Sequence, residues 1–375
     1  MHVCSLRLSD FRNYESLEVE FHPRLNLLLG PNAQGKTNLL EALYGLSTTR
    51  SFRSASDEEI IRFDREAGAV EGLLQREEGQ ERIRLELRRG KNKALFINGK
   101  KQAKLSSLLG RMPSVVFSPD DLFLVKGVPS LRRRYLDMTI LQMDGGYLAH
   151  LQHYERALRQ RNSLLKQRAP DLEKQLPVWD IPLARHGAAL MVRRRDAADR
   201  LSASAGRALA DLTGGQERFE VRYESSLAVE EETALEEKIL QALGKARREE
   251  IARGITVVGP HRDDLGLWVN GRSLRKFGSQ GQQRTGALAL KLAQWSLLTE
   301  GCGTSPLVLF DDVMAELDEK RRAFFLNRLQ QAGQAFLTGT SPGDFSGASS
   351  KARIFRVEEG RIAVTREGPD PEGPR

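Results

Sequence analysis

Cysteine is almost absent from this chain of 375 residues. Cys4 and Cys302 are its two representatives, too few for a disulfide framework, which suits a reducing cytoplasm. Long apolar runs are missing as well. No stretch approaches the ~18 apolar residues that mark a membrane span, so no membrane partner is expected. The opening residues, Met1-His2-Val3-Cys4-Ser5-Leu6, have no basic segment followed by an apolar one and enter a strand pattern at once, so a secretory leader is not expected. Positive charge is in excess. Lys and Arg number 58 against 50 Asp and Glu, a net charge of +8, with a pI near 9.5. This balance either suits a polyanionic partner or serves solubility alone, and the placement of the charge must decide.

The most informative stretch is Gly30-Pro31-Asn32-Ala33-Gln34-Gly35-Lys36-Thr37. It fits G-x-x-x-x-G-K-[ST], the phosphate-binding loop, and its setting matters more than the string. Before it, Leu25-Asn26-Leu27-Leu28-Leu29 reads as a buried strand. After it, residues 38–44 have helical spacing. Strand, glycine loop and helix in this order turn backbone N–H groups and a helix N-terminus toward phosphate. Lys36 then reaches the β- and γ-phosphates, and the Thr37 hydroxyl ligates Mg²⁺. Alone, the loop says nucleoside triphosphate and no more.

A second set of chemistry lies far along the chain. Ser279-Gln280-Gly281-Gln282-Gln283 is a polar, glycine-bearing helix start, and its hydroxyl and free N–H groups form an anion site. Pro306-Leu307-Val308-Leu309-Phe310-Asp311-Asp312 is an apolar strand ending in two aspartates. Asp311 is placed for the Mg²⁺ shell. Asp312 is placed to orient or deprotonate an attacking water. Ala315-Glu316-Leu317-Asp318 follows, then a helix and a further strand over 335–340.

Between these motifs, residues 3–9 and 17–21 alternate as strands, with Arg12 and Asn13 in the loop that joins them. Arg50 and Arg53 follow the first helix, where they face the nucleotide, a second polyanion, or solvent. Residues 67–76 and 81–89 read as paired strands, and residues 94–100 as a hairpin with an Asn-Gly turn. From 82 to 104 stand Arg82, Arg84, Arg88, Arg89, Lys91, Lys93, Lys100, Lys101 and Lys104 against Glu86 as the one acid. Alternation puts Arg82, Arg84, Glu86 and Arg88 on one face, with Ile83, Leu85 and Leu87 behind. That basic face reads as a nucleic-acid contact more readily than as a solvated surface. Residues 113–117 form another strand, and Ser118-Pro119-Asp120-Asp121 turns it into a helix. From 129 to 211 the spacing is helical, with a stripe of Leu148, Leu151, Tyr154, Leu158, Leu164 and Leu165. Pro170, Pro177 and Pro182 are expected to break it, before one long helix over 183–212; the two helices make a short hairpin arm. Arg132 to Arg134 and Arg193 to Arg195 read as surface features without a partner. Strands are expected over 218–223, 255–258 and 265–269, and a charged helix over 230–250.

The order of these motifs resembles the ABC-type ATPases and, within them, the SMC-like heads. Their variants resemble the RecF family of recombination mediators. The resemblance rests on LSDFRNY at 8–14, GPNAQGKTN at 30–38, SPDDL at 118–122, Arg132-Arg133 with Leu136-Asp137, GPHRDD at 259–264, SQGQ at 279–282, LFDDV at 309–313 and ELD at 316–318. It covers the chain to about residue 340. It implies an α/β ATPase head of two lobes, a P-loop core with an antiparallel sheet, and an inserted helical arm. The head then comprises 1–128 and 256–366, the arm 129–255, and a disordered tail 367–375. The cofactors implied are ATP and Mg²⁺, with Arg12 and Asn13 as further nucleotide contacts. Ser279, Gln280, Gly281 and Gln282 form a signature serving the other subunit's nucleotide in an ATP-dependent homodimer. Glu316, Leu317 and Asp318 form the D-loop. DNA, single-stranded or as a gapped or duplex junction, is the implied partner, with mediator proteins of the same pathway, in the cytoplasm and on the nucleoid. Arg50 and Arg53 would couple DNA to the nucleotide.

Two departures from the wider ABC pattern stand out. Ser118-Pro119-Asp120 replaces the Q-loop glutamine, and Thr338 and Thr340 stand where a switch histidine would follow 335–339. Asp312 replaces the usual glutamate base, so hydrolysis is expected to be slow. A transporter ATPase or a P-loop kinase is the rival reading. The basic sheet and the arm speak against the first, and the Ser-Gln-Gly-Gln motif against the second.

Overall fold

The computed structural model describes residues 1–53, 56–167, 171–229, 231–314, 317–345 and 349–368. The expected breaker Pro170, Glu316 of the D-loop and residues 369–375 of the tail lie outside the described residues. The chain divides into two compact units, residues 1–121 with 294–375, and residues 122–293.

The first unit opens with β1 (His2–Phe11), β2 (Tyr14–Glu20) and β3 (Leu25–Leu29), then α1 (Lys36–Thr48), β4 (Ala67–Arg76), β5 (Gly79–Arg88), β6 (Ala94–Ile97), β7 (Lys100–Lys101) and β8 (Ser114–Phe117). An antiparallel sheet takes the order β2-β1-β4-β5-β6-β7. It alternates as half-buried strands do: Ile83, Leu85 and Leu87 are buried while Arg82 and Arg88 are exposed. Asn98 and Gly99 both have positive φ, 49° and 76°, as a two-residue hairpin turn demands.

The second unit contains α2 (Leu122–Lys126), α3 (Pro129–Leu141), α4 (Tyr147–Gln167), α5 (Leu172–Thr213), β9 (Phe219–Glu224), α6 (Glu232–Arg253), β10 (Asp264–Val269), β11 (Arg272–Ser273) and α7 (Leu274–Phe277). It is wider than the 129–255 arm expected from the sequence. The reason is the small sheet β11-β10-β9: β9 pairs with β10 from Phe219 to Glu224, which draws the segment beyond 255 into this unit. Pro177 and Pro182 do not end a helix; both lie inside α5. The carbonyls they leave without a helical donor belong to Glu173 and Val178, both exposed residues, where contact with solvent lowers the cost of the lost bonds. Residues 255–258 are not a strand. Their backbone bonds side chains instead: the Thr256 N–H donates to Asn162 Oδ1 and the Val257 N–H to Glu250 Oε1, both at 2.8 Å.

The helical unit also corrects the reading of its arginines and its apolar stripe. On α4 the buried residues are Tyr147, Tyr154, Ala157, Arg161 and Leu165. Arg161 is fully buried, and donates to Asp180 Oδ1 at 2.7 Å and to Thr256 Oγ1 at 2.9 Å. It also pairs with the equally buried Glu250 at 2.7 Å. Arg132 grips both oxygens of Asp264 at 2.7 Å. Arg133 donates to the Asp263 carbonyl. Arg194 grips Asp137 through two nitrogens and donates to the Pro260 carbonyl. Arg193 pairs with Asp144 and Glu232, and Arg195 reaches the Val229 carbonyl. Five of the six arginines in the two triplets are thus engaged in contacts within the unit, and Arg134 is exposed. Arg132, Arg133 and Arg194 converge on Gly259-Pro260-His261-Arg262-Asp263-Asp264.

From α8 (Gln280–Cys302) the chain returns to the first unit, with β12 (Leu307–Phe310), α9 (Glu319–Leu329), β13 (Gln334–Gly339), β14 (Arg353–Glu358) and β15 (Arg361–Arg366). These build the second sheet of the unit, in the order β15-β14-β3-β13-β12-β8. All of its neighbouring pairs are parallel except β14 with β15. Strands β8, β12 and β13 are buried throughout, as expected of parallel strands covered on both faces. Phe117 stacks on Phe310 at 4.3 Å, and Phe325 of α9 meets both edge-on.

Candidate nucleotide site

In a parallel sheet, ligands bind beyond the carboxyl ends of the strands. Here β3 ends at the glycine loop, β12 ends at Asp311, and β13 runs between them. Sheet order therefore brings together two motifs separated by about 270 residues of sequence. The Thr37 hydroxyl donates to Asp311 Oδ1 at 2.7 Å.

The loop is held from outside. Tyr14 Oη donates to the Gly35 carbonyl at 3.1 Å, and Asn13 Nδ2 to the Gln34 carbonyl at 3.0 Å. From the β14–β15 turn, the Glu359 N–H donates to Gln34 Oε1 at 2.7 Å. Two glycines are required by this confinement. A Cβ on Gly30, at φ 156°, would meet the Val357 carbonyl oxygen at 2.1 Å, and one on Gly35, at φ 117°, would meet Asn13 and Tyr14 at 2.8 Å. Lys36 folds back on the loop, donating to the carbonyls of Gly30 and Pro31 at 2.7 and 2.9 Å. An ammonium held against two carbonyls at the loop is poised to exchange them for phosphate oxygens.

Asp311 is largely buried. Burial pushes its carboxyl pKa above the ordinary value, and the neighbouring Asp312 adds to this, while bonds from Thr37 and Thr338 and the charge of Arg53 oppose it. A hydroxyl and a carboxylate side by side are hard oxygen donors, the kind Mg²⁺ takes along with phosphate. Among the described residues no group of three His, Cys, Asp or Glu converges on one point. Thr37 and Asp311 fit the role of hard donors to Mg²⁺.

Asp312 has left-handed backbone, φ 52°. Its N–H donates to Thr338 Oγ1 at 2.8 Å. A cavity of about 160 Å³ opens beside it, lined by Asn32, Thr338 and Thr340 among others. Leu317 and Asp318 precede α9, with Asp318 capping it by accepting from the Arg321 N–H at 2.9 Å.

Arg12 and Asn13 sit differently from each other. Asn13 touches the loop, whereas Arg12 binds both oxygens of buried Glu41 at 2.7 and 2.8 Å and the Glu59 carbonyl. Ser51 joins the same carboxylate. Arg53 donates to Asn38 Oδ1 at 3.0 Å, one residue past Thr37, while Arg50 is exposed.

Ser279 and Gln282 form a capping box at the start of α8. The Gln282 N–H donates to Ser279 Oγ at 3.2 Å, and the Ser279 N–H to Gln282 Oε1 at 2.9 Å. Ser279, Gln280 and Gly281 are exposed.

The basic sheet is less positive than its sequence. Glu71 of β4 lies opposite Arg84 and pairs with both Arg82 and Arg84, while Arg84 also takes Glu86. Lys93 is spent on Asp57, and Arg89 on the Arg65 carbonyl. Arg88 and Lys91 at one end of β5, and Lys100, Lys101 and Lys104 by the β6–β7 turn, are exposed, with no ion pair among the described residues.

A family model described as the RecF/RecN/SMC N terminal domain matches residues 2–363. A Symbiobacterium thermophilum protein called DNA replication and repair protein RecF is 43% identical, over 98% of this chain and the whole of its own length. The chain belongs to the RecF family. A Bacillus mycoides protein of the same name is 40% identical over 96% of this chain and 98% of its own. A solved structure described as the recombination mediator protein RecF-ATP in the RecFOR pathway matches with a TM-score of 0.91 at 35% identity, covering 97% of this chain and 98% of that one. A Pyrococcus furiosus Smc head domain matches at TM-score 0.56 and 14% identity, over 98% of this chain and 96% of that one. That likeness shows the ABC-type head fold and no more. Fold class and family therefore stand as the motifs implied. Sequence reasoning missed Tyr14, Asn38 and Glu41 around the loop, and saw Thr338 only as the lack of a histidine.

Proposed function

We propose that this chain is an ATP-dependent DNA-binding mediator of recombinational and gap repair. The observation that carries the reading is the Thr37–Asp311 contact at 2.7 Å beside the confined glycine loop, in a chain whose relatives are named for DNA replication and repair. Residues 30–37 cradle the phosphates, and Lys36 neutralises their charge. Thr37 and Asp311 would hold Mg²⁺, which would neutralise phosphate charge when bound. Asp312 receives the water's proton as the water oxygen bonds the γ-phosphorus and the bond to the bridging oxygen breaks, releasing ADP and phosphate. Ser279 to Gln282 serve the nucleotide of a second copy, so that ATP closes a dimer, DNA lies on its basic surface, and slow hydrolysis releases it. The exposure of Ser279, Gln280 and Gly281 supports a role toward another molecule. Partner proteins of the same pathway and a location on the nucleoid are part of this reading, and the relatives' names in DNA replication and repair support it. Sedimentation of the protein with and without ATP and DNA tests the whole: the expected result is a dimer with ATP alone and tighter DNA binding in its presence. A monomer with ATP that binds DNA equally well without it would overturn the reading.

A further inference from the structure

We propose that Thr338 is a positioning residue for ATP hydrolysis, its hydroxyl holding Asp312 in the orientation from which that carboxylate takes the water's proton. This rests on the proposed nucleotide site. Thr338 lies near the end of β13, the strand between β3 and β12, so it stands between the glycine loop and the two aspartates. It is 1% exposed. Its Oγ1 accepts from the Asp312 N–H at 2.8 Å and lies 3.1 Å from Asp312 Oδ1. Asp311 Oδ1 is 3.3 Å away and the Phe310 carbonyl oxygen 3.4 Å.

A hydroxyl has one proton to give. Three acceptors surround it, and Asp312 Oδ1 is nearest. Asp311 Oδ1 already accepts from Thr37 at 2.7 Å, and the Phe310 carbonyl is farthest. Of the two carboxylates that the hydroxyl serves, the nearer, Asp312, is taken as its main acceptor, so that Thr338 grips that residue twice, by its N–H and by its carboxylate. Asp312 needs such a grip. Its backbone sits at φ 52°, a left-handed conformation that costs a non-glycine residue some energy, though aspartate less than most, and the N–H bond to Thr338 helps to hold it. The cavity of about 160 Å³ has Asp312, Asn32, Thr338 and Thr340 on its polar side and Met314 and Phe345 on its apolar side, with room for water.

Thr338→Val keeps the side-chain shape and removes the hydroxyl; Thr338→Ser keeps the hydroxyl. The measurements are kcat and KM for ATP, ATP binding by equilibrium titration, and thermal melting. The expected result is a kcat at least about tenfold lower for valine, with ATP affinity within about twofold, and a serine variant within about threefold of the parent, because a misplaced reacting group costs turnover rather than binding. Valine at the parent kcat, serine as slow as valine, or a loss that appears only as weaker ATP binding overturns the proposal. Thr338→Ala, which is smaller, keeps the test open should valine disturb β13. Asp312→Asn is the control. If it turns over ATP at the parental rate, the underlying site reading fails and this proposal with it; if it is inactive while Thr338→Val is normal, the positioning role alone fails.

Discussion

Removing Arg161 is expected to be the most damaging single change in the helical unit. Its guanidinium joins α4 to Asp180 of α5 and Glu250 of α6, and to Thr256 in the segment that follows. Arg247 takes the other oxygen of Asp180 at 2.7 Å, and Glu250 Oε1 accepts from the Val257 N–H. Two cations and two carboxylates thus balance, with Arg161 and Glu250 both fully buried. Arg161→Met preserves bulk but leaves Glu250 charged, buried and without its cation. Breaking a buried pair in this way costs about 3–5 kcal/mol. Urea unfolding followed by circular dichroism reads the loss. The second variant isolates its cause. Adding Glu250→Gln removes the stranded charge while keeping an oxygen for the Val257 N–H, and should return roughly half or more of the loss, since the uncompensated charge carries most of it. A single variant that loses under about 1 kcal/mol, the scale of an exposed pair, or a double variant no better than the single, would refute the charge argument and leave packing as the cause.

Further outcomes follow from the same geometry. Lys36→Ala should weaken ATP binding and dimer closure, whereas Asp312→Asn should keep ATP binding and abolish turnover; equilibrium titration and phosphate release separate the two. Ser279→Arg should bind ATP as a monomer, read by sedimentation, because the added side chain collides with a phosphate approaching the start of α8. Charge reversal at Arg88, Lys91, Lys100 and Lys101 should lower DNA affinity and flatten its dependence on log salt by about 0.7–0.9 for each phosphate that is no longer neutralised, with ATP-driven dimerisation unchanged. His261 is held down to about 4, chiefly by burial. Its folded pKa lies below its unfolded value, so the stability tied to its neutral form is present above about pH 6.5 and is lost as pH falls toward 4, by at most about 3 kcal/mol at 1.36 kcal/mol per unit. Denaturation midpoints from pH 7 to 4 check this, and His261→Gln should flatten the curve.

What the sequence made legible depended on whether a residue's role was written in local spacing. The glycine loop announces itself because strand, loop and helix are contiguous, and Asp311 because an apolar strand precedes it. Sheet order joins the two, and no local pattern encodes that β13 lies between β3 and β12. Thr338 was therefore visible only as a missing histidine, although its hydroxyl touches both aspartates. Charge was the least legible quantity. Nine cations against one acid over 82–104 looked like a concentrated patch, but Glu71 stands one strand away and neutralises two of them. Three arginines of the triplets failed in the same way: Asp264, Asp263 and Asp137, the partners of Arg132, Arg133 and Arg194, lie 57 to 132 residues distant in sequence. The prolines of α5 misled because a breaker costs less where the residues carrying the freed carbonyls are exposed, as Glu173 and Val178 are. In this chain the sign of a local charge run thus says little until its cross-strand and cross-helix neighbours are known. For that reason the proposed DNA contact rests on Arg88, Lys91, Lys100, Lys101 and Lys104, which keep their charge exposed, rather than on Arg82, Arg84, Arg132, Arg133 or Arg194, whose charge is paired or spent inside the unit.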